Sequence, residues 1–246
     1  MDASTVKDYF EKPEVVRAYA EAAENVGLWN SERAVFAKYI PQSAAVLELG
    51  CGAGRIAHGL ARMGYTDITA TDFSQKMVEA AAEIAQRNGY CGAFKVCDAT
   101  KIRFPDGSFD AVIFGFNGLM QIPLRKNRRR ALAEIFRVLR GGGVFIFTTH
   151  DRAAPANAEY WRAERLQWEH GCQNPVLDEF GDIFYRGDYG NIFIHSPSGD
   201  EIADDLALAG FELLFEAPRG KISSENASVQ DFSDECVFRV VKKPQS

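Results

Sequence analysis

The chain has 246 residues, 46% of them hydrophobic, and a formal net charge of −6. That length and apolar content suit one large domain with a sizeable core. The acidic balance argues against nucleic-acid binding through bulk charge, and no apolar run approaches the ~20 residues that span a bilayer. The five cysteines (Cys51, Cys91, Cys97, Cys172, Cys236) are odd in number and lack zinc-site spacing, so no metal is expected. Met1-Asp-Ala-Ser-Thr-Val-Lys lacks the basic and apolar regions of a signal peptide, and the expected compartment is the cytoplasm, with the thiols reduced.

Residues 4–40 read as a helical cap. Val15, Val16, Tyr19 and Ala20 recur at helical spacing, and Pro13 suits a first turn. A second helical segment runs from Ser31 to Tyr39 behind an Asn30 or Ser31 cap. Strands and helices then alternate: strand 44–49, helix 53–63, strand 67–72, and a helix from a Ser74 cap to about Asn88, ended by Gly89. Strands 93–97 and 109–114 follow. Helix 123–140 is expected to stop at Gly141-Gly-Gly143, ahead of strand 144–149. This rhythm predicts an α/β fold with a doubly wound, mostly parallel sheet of seven strands.

The rhythm breaks after His150. Residues 151–180 are rich in Trp, Glu and Arg without a clear period, and 182–196 read as a hairpin around Gly187 to Gly190. A helix over 198–209, closed by Gly210, precedes strands 211–216 and 236–242, which are expected to pair antiparallel across a polar loop. The chain is therefore read as one domain: a cap (1–40), a ligand-binding core (41–150), a lid or substrate insertion (151–197) and a C-terminal helix with a strand pair (198–246).

The chemistry concentrates in Ala45-Val-Leu-Glu-Leu-Gly-Cys-Gly-Ala-Gly54, a buried-strand pattern that breaks into glycines at alternate positions before a helix. Such a turn aims free backbone N–H groups at a ligand. Alone, Gly52-Ala-Gly54-Arg-Ile-Ala57 also satisfies the dinucleotide fingerprint G-x-G-x-x-A. Three acids discriminate. Glu48 lies two residues before Gly50, where a charge is costly without a partner. Asp72 closes the second strand, where a carboxylate can accept from both hydroxyls of a ribose. Asp98 closes the third, where one can accept from an amine such as adenine N6. Parallel sheets bind ligands at the carboxyl ends of their strands, so the three acids share one crevice.

These residues resemble the class I S-adenosylmethionine-dependent methyltransferases. The family's first motif, an acid, one residue, then G-x-G-x-G, matches Glu48-Leu-Gly50-Cys-Gly52-Ala-Gly54. Asp72-Phe73, Asp98-Ala99, Phe109-Asp-Ala-Val-Ile113 and Arg137-Val-Leu-Arg-Gly-Gly-Gly-Val-Phe145 match further motifs, with Gly141 where many relatives have proline. The resemblance covers about residues 40–150 strongly and 200–242 in topology. It implies S-adenosylmethionine as cofactor, held by Glu48, Gly50, Cys51, Gly52, Asp72, Phe73, Met77, Asp98, Ala99 and Asn117. In that scheme Gly50 and Gly52 meet the methionine portion, Glu48 orients the turn, Asp72 holds the ribose, and Phe73 and Met77 flank the adenine. Cys51 reads more simply as a small residue beside the ligand than as a catalytic thiol. Met77 and Phe73 could equally be core.

The implied activity is methyl transfer to an oxygen, nitrogen or carbon of a small molecule. His150, after the fifth strand, and His195, at the end of the hairpin, are the candidate general bases, each of which reads equally as a structural histidine. The aromatics of the insertion (Tyr160, Trp161, Trp168, Phe184, Tyr185, Tyr189) either line an acceptor pocket or pack the insertion onto the core. Arg125-Lys-Asn-Arg-Arg-Arg130 invites an RNA-binding reading, against which stand the acidic balance and a plain reading as the solvated start of a helix. An RNA or protein methyltransferase, and an NAD-type oxidoreductase or nucleotide sensor, are the alternatives. No membrane partner is expected, and the sequence is silent on the acceptor and on oligomeric state.

Overall fold

The computed structural model describes residues 2–245. Its strands are β1 (Val46–Leu49), β2 (Ile68–Asp72), β3 (Ala93–Val96), β4 (Phe109–Phe114), β5 (Leu139–Thr149), β6 (Asp182–Gly187), β7 (Gly190–His195), β8 (Glu212–Pro218) and β9 (Val237–Lys242). Seven of them form one sheet in the order β3-β2-β1-β4-β5-β9-β8, while β6 and β7 pair as a separate hairpin. The first five are parallel and β9 runs antiparallel to both neighbours. The expected α/β class, seven-strand sheet and antiparallel closing strand are all present.

The helices are α1 (Ala3–Phe10), α2 (Pro13–Asn25), α3 (Asn30–Tyr39), α4 (Arg55–Arg62), α5 (Gln75–Asn88), α6 (Arg125–Val138), α7 (Ala158–Glu169), α8 (Gly199–Ala209), α9 (Arg219–Ile222) and α10 (Ala227–Phe232). Among the described residues no helix is long and apolar enough to cross a membrane. Pro13 opens α2, and Ser74 caps α5 by accepting from the Met77 N–H. The sheet strands are apolar on both faces because each face is covered. Leu47, Val112, Phe145 and Phe147 pack against α6 and α8, and Val46, Ala70, Ile113 and Ile146 against α3 and α4.

Local boundaries differ from expectation in three places. α3 is capped by Trp29, whose N–H donates to the Glu32 carboxylate at 2.9 Å. The Gly141–Gly143 run does not separate helix from strand: α6 ends at Val138 and β5 already pairs at Leu139 with Phe109. The next pair is Ala111 with Val144, so Arg140–Gly143 bulge opposite the single residue Asp110. Hydrogen bonds of 2.9 Å to and from Lys243 hold that bulge. The loop expected between the last strands contains α9 and α10.

The arginine run at the start of α6 is largely spent inside the protein. Arg125 and Arg129 bind Asp205 of α8 at 2.8 and 2.7 Å, and the buried Arg128 binds Glu179 at 3.0 Å and Glu201 at 3.2 Å. His195 completes this cluster. It is fully buried, with Nδ1 2.8 Å from Asp182 and Nε2 2.9 Å from Glu201. A neutral imidazole has one N–H, so serving both carboxylates requires the imidazolium. Burial alone would lower the His195 pKa, but its bonds to Asp182 and Glu201 outweigh burial and hold it above the ordinary value. Glu201 is correspondingly held down at about 2, against the upward push of its own burial. Because the folded histidine binds its proton more tightly than the unfolded one, its contribution is complete below the ordinary histidine pKa. It is lost as pH rises through the raised value. Urea unfolding should therefore show stability falling as pH rises above the ordinary histidine value, and His195→Phe should remove that slope and cost about 3 kcal/mol by taking away the cation that Asp182 and Glu201 share. An unchanged slope in the variant would contradict the imidazolium assignment.

Candidate active site

β1 leaves the sheet through Gly50 (φ 63°) and Gly52 (φ 53°), both in the left-handed region. Two rings close over this turn. A Cβ on Gly50 would meet Phe114 Cε2 at 2.7 Å, and one on Gly52 would meet Tyr19 Cδ1 at 3.1 Å. Asp72, at the end of β2, fixes the turn from the side: the Gly52 N–H donates to Oδ2 and the Ser74 N–H to Oδ1, each at 2.8 Å. Burial still pushes the Asp72 carboxyl above its ordinary pKa, against those bonds.

A cleft of about 1080 Å³, its open mouth included, runs along the carboxyl ends of the parallel strands. Gly50 and Gly52 line it beside Asp72 and Phe73 after β2, Asp98 and Ala99 after β3, and Phe114, Gly115 and Phe116 after β4. Val6, Lys7 and Phe10 of α1 and Tyr19 of α2 cover it, with Lys7 Nζ 5.1 Å above the Phe73 ring. Asp98 accepts from the Thr100 N–H and hydroxyl, both at 2.8 Å and both on Oδ1.

A smaller chamber shares Tyr19, Gly50, Gly52, Gly115 and Phe116 with the cleft and adds Glu48, Cys51, Arg55 and Phe232. Glu48 is 1% exposed, and its Oε2 has no hydrogen-bond partner. Burial drives its carboxyl well above the usual range, over the opposing pull of Arg55. The Cys51 thiol is likewise pushed well up by burial and bonds the Gly52 carbonyl at 3.4 Å, so it is a neutral neighbour of the ligand site and no nucleophile.

Of the residues singled out in the sequence, the fold brings Glu48, Gly50, Cys51, Gly52, Asp72, Phe73, Asp98 and Ala99 to these two connected spaces. Met77 is not with them. It is 1% exposed, packed against Tyr9 and Val15, because the capping helices cover that face of α5. Asn117 lies just behind the cleft wall, 5% exposed, its N–H donating to Thr148 Oγ1 at 2.9 Å and its amide 3.1 Å from His150 Nε2. His150 adjoins the site through that contact. His195 does not: both its ring nitrogens are spent on Asp182 and Glu201. The insertion aromatics mostly pack on their own surroundings, with Phe180 against Trp161 and Trp168, and Phe184 against α1. Tyr185 and Tyr189 are exposed.

Tyr19, Phe116 and Glu32 carry no ligand motif in the sequence. Tyr19 shows only helical spacing. Phe116 becomes the hub of an aromatic wall, stacked on Phe232 at 4.8 Å and edge-on to Trp29 and Tyr19. It does so by taking a positive φ of 49°, followed by Asn117 at 59°, a strained pair at the end of β4 that no residue type announces.

A family model described as a methyltransferase domain matches residues 46–143, from β1 to the bulge in β5. Over that stretch the chain is similar to methyltransferases, and its sheet has the fold of the class I S-adenosylmethionine-dependent enzymes. Proteins similar to this chain include a demethylmenaquinone methyltransferase of Leptospira interrogans, 40% identical over 105 residues, which are 41% of each chain. A ubiquinone/menaquinone biosynthesis C-methyltransferase UbiE of Bordetella avium is 34% identical over 172 residues, 68% of this chain and 63% of that one. The chain thus spans about two fifths of the first of these relatives. Among solved structures, a SAM-dependent methyltransferase of Methanosarcina mazei superposes with a TM-score of 0.71 at 21% identity, covering 89% of this chain and all of the other, a likeness of fold. The family match includes the glycine turn and all three acids but none of α1 or α2, so the chain covers its cleft with residues outside the matched stretch.

Gly50→Ala should cost about 1–2 kcal/mol from the left-handed backbone alone, and more from displacing Phe114. Gly89→Ala is the control, since Gly89 has φ 67° but nothing within 4 Å of its would-be Cβ. Chemical denaturation should rank Gly50→Ala as clearly the worse; equal losses would mean that Phe114 does not constrain the turn.

Proposed function

We propose that this chain transfers the methyl group of S-adenosylmethionine to an oxygen, nitrogen or carbon of a small molecule. The observation that carries the reading is the row of carboxylates Glu48, Asp72 and Asp98 at successive strand ends around one glycine turn, with one Glu48 oxygen buried and unpartnered. These groups suit the cofactor part by part. Asp72 keeps lone pairs for ribose hydroxyls beyond its two backbone bonds. Phe73, Asp98 and Ala99 offer a ring face and an acceptor for adenine. Glu48 offers the missing partner for the methionyl ammonium. The same acids disfavour a pyrophosphate, which counts against a nicotinamide dinucleotide.

When bound, the cofactor supplies an already activated sulfonium methyl group. The protein's part is alignment and exclusion of water. Phe10, Tyr19, Phe114 and Phe116 make the walls that do this. Of the two candidate histidines His150 is the nearer to the cleft, and it would serve as a base by exchanging the Asn117 amide at 3.1 Å on Nε2 for the acceptor, while Nδ1 stays on the Glu235 carbonyl at 3.3 Å. A small acceptor suits a cleft covered by α1, and the arginines of α6 that face α8 are not free for RNA. The relatives named for quinone C-methylation support the same class of acceptor.

Calorimetry should register binding of S-adenosylhomocysteine and none of NAD, and Asp72→Ala should weaken that binding about tenfold or more. Tight NAD binding, or an unaffected Asp72→Ala, would sink the assignment. Once an acceptor is in hand, His150→Ala should lower kcat by about 10²–10⁴ with S-adenosylhomocysteine affinity preserved. An unchanged kcat removes His150 as the base.

A further inference from the structure

The smaller chamber is lined by one buried carboxylate, Glu48, and one cation, Arg55, whose own partner Glu32 lies behind it. Arg55 gives Glu32 two hydrogen bonds of 2.6 Å and the Gly27 carbonyl a third of 2.9 Å, and none of them goes to Glu48. Glu32 and Glu48 are each 1% exposed. The second buried cation nearby, Arg219, has an unpartnered Nη1 but makes no ion pair with either carboxylate. Asp72 and Cys51 flank Glu48 across the turn, and Cys236 lies on the Arg55 side. Arg219 lies 5.1 Å from the Trp29 ring and donates to the Ser233 carbonyl. With Arg55 spent on Glu32, an ionised Glu48 would be a buried charge with no cation bonded to it, a costly state. The chamber has room for one more positive charge, and Glu48 Oε2 is the atom left to receive it.

We propose that Glu48 carries a proton in the empty cleft and exchanges it for the ammonium group of S-adenosylmethionine or S-adenosylhomocysteine, so that binding releases a proton. The inference rests on the methyltransferase reading. In the exchange the carboxylic O–H bond breaks, the proton passes to the buffer, and an ammonium N–H donates to the carboxylate; no electrons change owner. Glu32 is a positioning residue: by holding Arg55 away it keeps Glu48 without a resident cation. The site therefore distinguishes ligands that carry the amino-acid portion from those that end at the ribose. Burial widens the pH range of the exchange by raising the empty-state titration of Glu48. Within that range affinity rises about tenfold per pH unit, and above it the dependence flattens.

The test is calorimetry on the full chain near neutral pH in buffers of different ionisation enthalpy. S-adenosylhomocysteine should release about one proton, and 5′-methylthioadenosine, which lacks the amino-acid portion, none. Glu48→Gln should abolish the release. Glu32→Gln should abolish it too while retaining binding, because Arg55 becomes free for Glu48. If Glu32→Gln fails to fold, the wild-type buffer series and Glu48→Gln still decide. Binding of S-adenosylhomocysteine without proton release, or equal release with 5′-methylthioadenosine, overturns the exchange and leaves the methyltransferase reading standing. No binding of S-adenosylhomocysteine overturns both.

Discussion

The pair of hydrogen bonds accepted by Asp72 is the constraint on which the rest of the site depends. One carboxylate receives the N–H of Gly52 from the turn after β1 and the N–H of Ser74 from the cap of α5. Two neighbouring strand ends are thereby held at a fixed separation, and the glycine turn cannot collapse onto the space between them. Phe114 and Tyr19 then close on the turn from β4 and from α2, so the cleft is defined on three sides by contacts that meet at Gly50 and Gly52. A hydrogen bond to a charged acceptor is worth more than a neutral one, which suits a carboxylate to this double role.

Charge is partitioned between the two sides of the sheet. Acids with few cations surround the glycine turn: Arg55 is bonded to Glu32, Glu48 feels it only at a distance, and Asp72 is held by backbone N–H groups. On the opposite side cations and acids are matched: Arg125, Arg128 and Arg129 meet Glu179, Glu201 and Asp205, with His195 as a further cation. The matched side spends its charges on internal ion pairs, and the unmatched side leaves one Glu48 oxygen without a partner. The two histidines considered for catalysis fall on different sides of that divide, which is why only one remains near the cleft.

Much of this was legible in the sequence because it depends on local pattern. Alternating strands and helices, the glycine turn and the acids at strand ends follow from period and position, and the sheet reproduces them. What the sequence did not disclose depends on which face of a helix meets which neighbour. The family resemblance matches Met77 to an adenine contact, but the cap buries it against Tyr9 and Val15. Tyr19 and Glu32 lie on helices whose docking onto the turn has no local signature. His195 and Asp182 are thirteen residues apart in the chain and meet only because β6 pairs with β7. The glycine run after α6 was misleading for a related reason: it marks a bulge whose partner, Lys243, lies about a hundred residues later.

The position of β9 has a consequence for the order in which this chain is assembled. β9 lies between β5 and β8, yet it follows β8 in sequence. During synthesis β8 therefore emerges before the strand it pairs with, and β5 keeps an open edge until that later strand is inserted between them. The five parallel strands and their glycine turn can form earlier, on the part of the chain already made. Until β9 arrives, the exposed edge of β5, with Phe145 and Phe147 in its apolar run, is the surface most open to pairing with another chain.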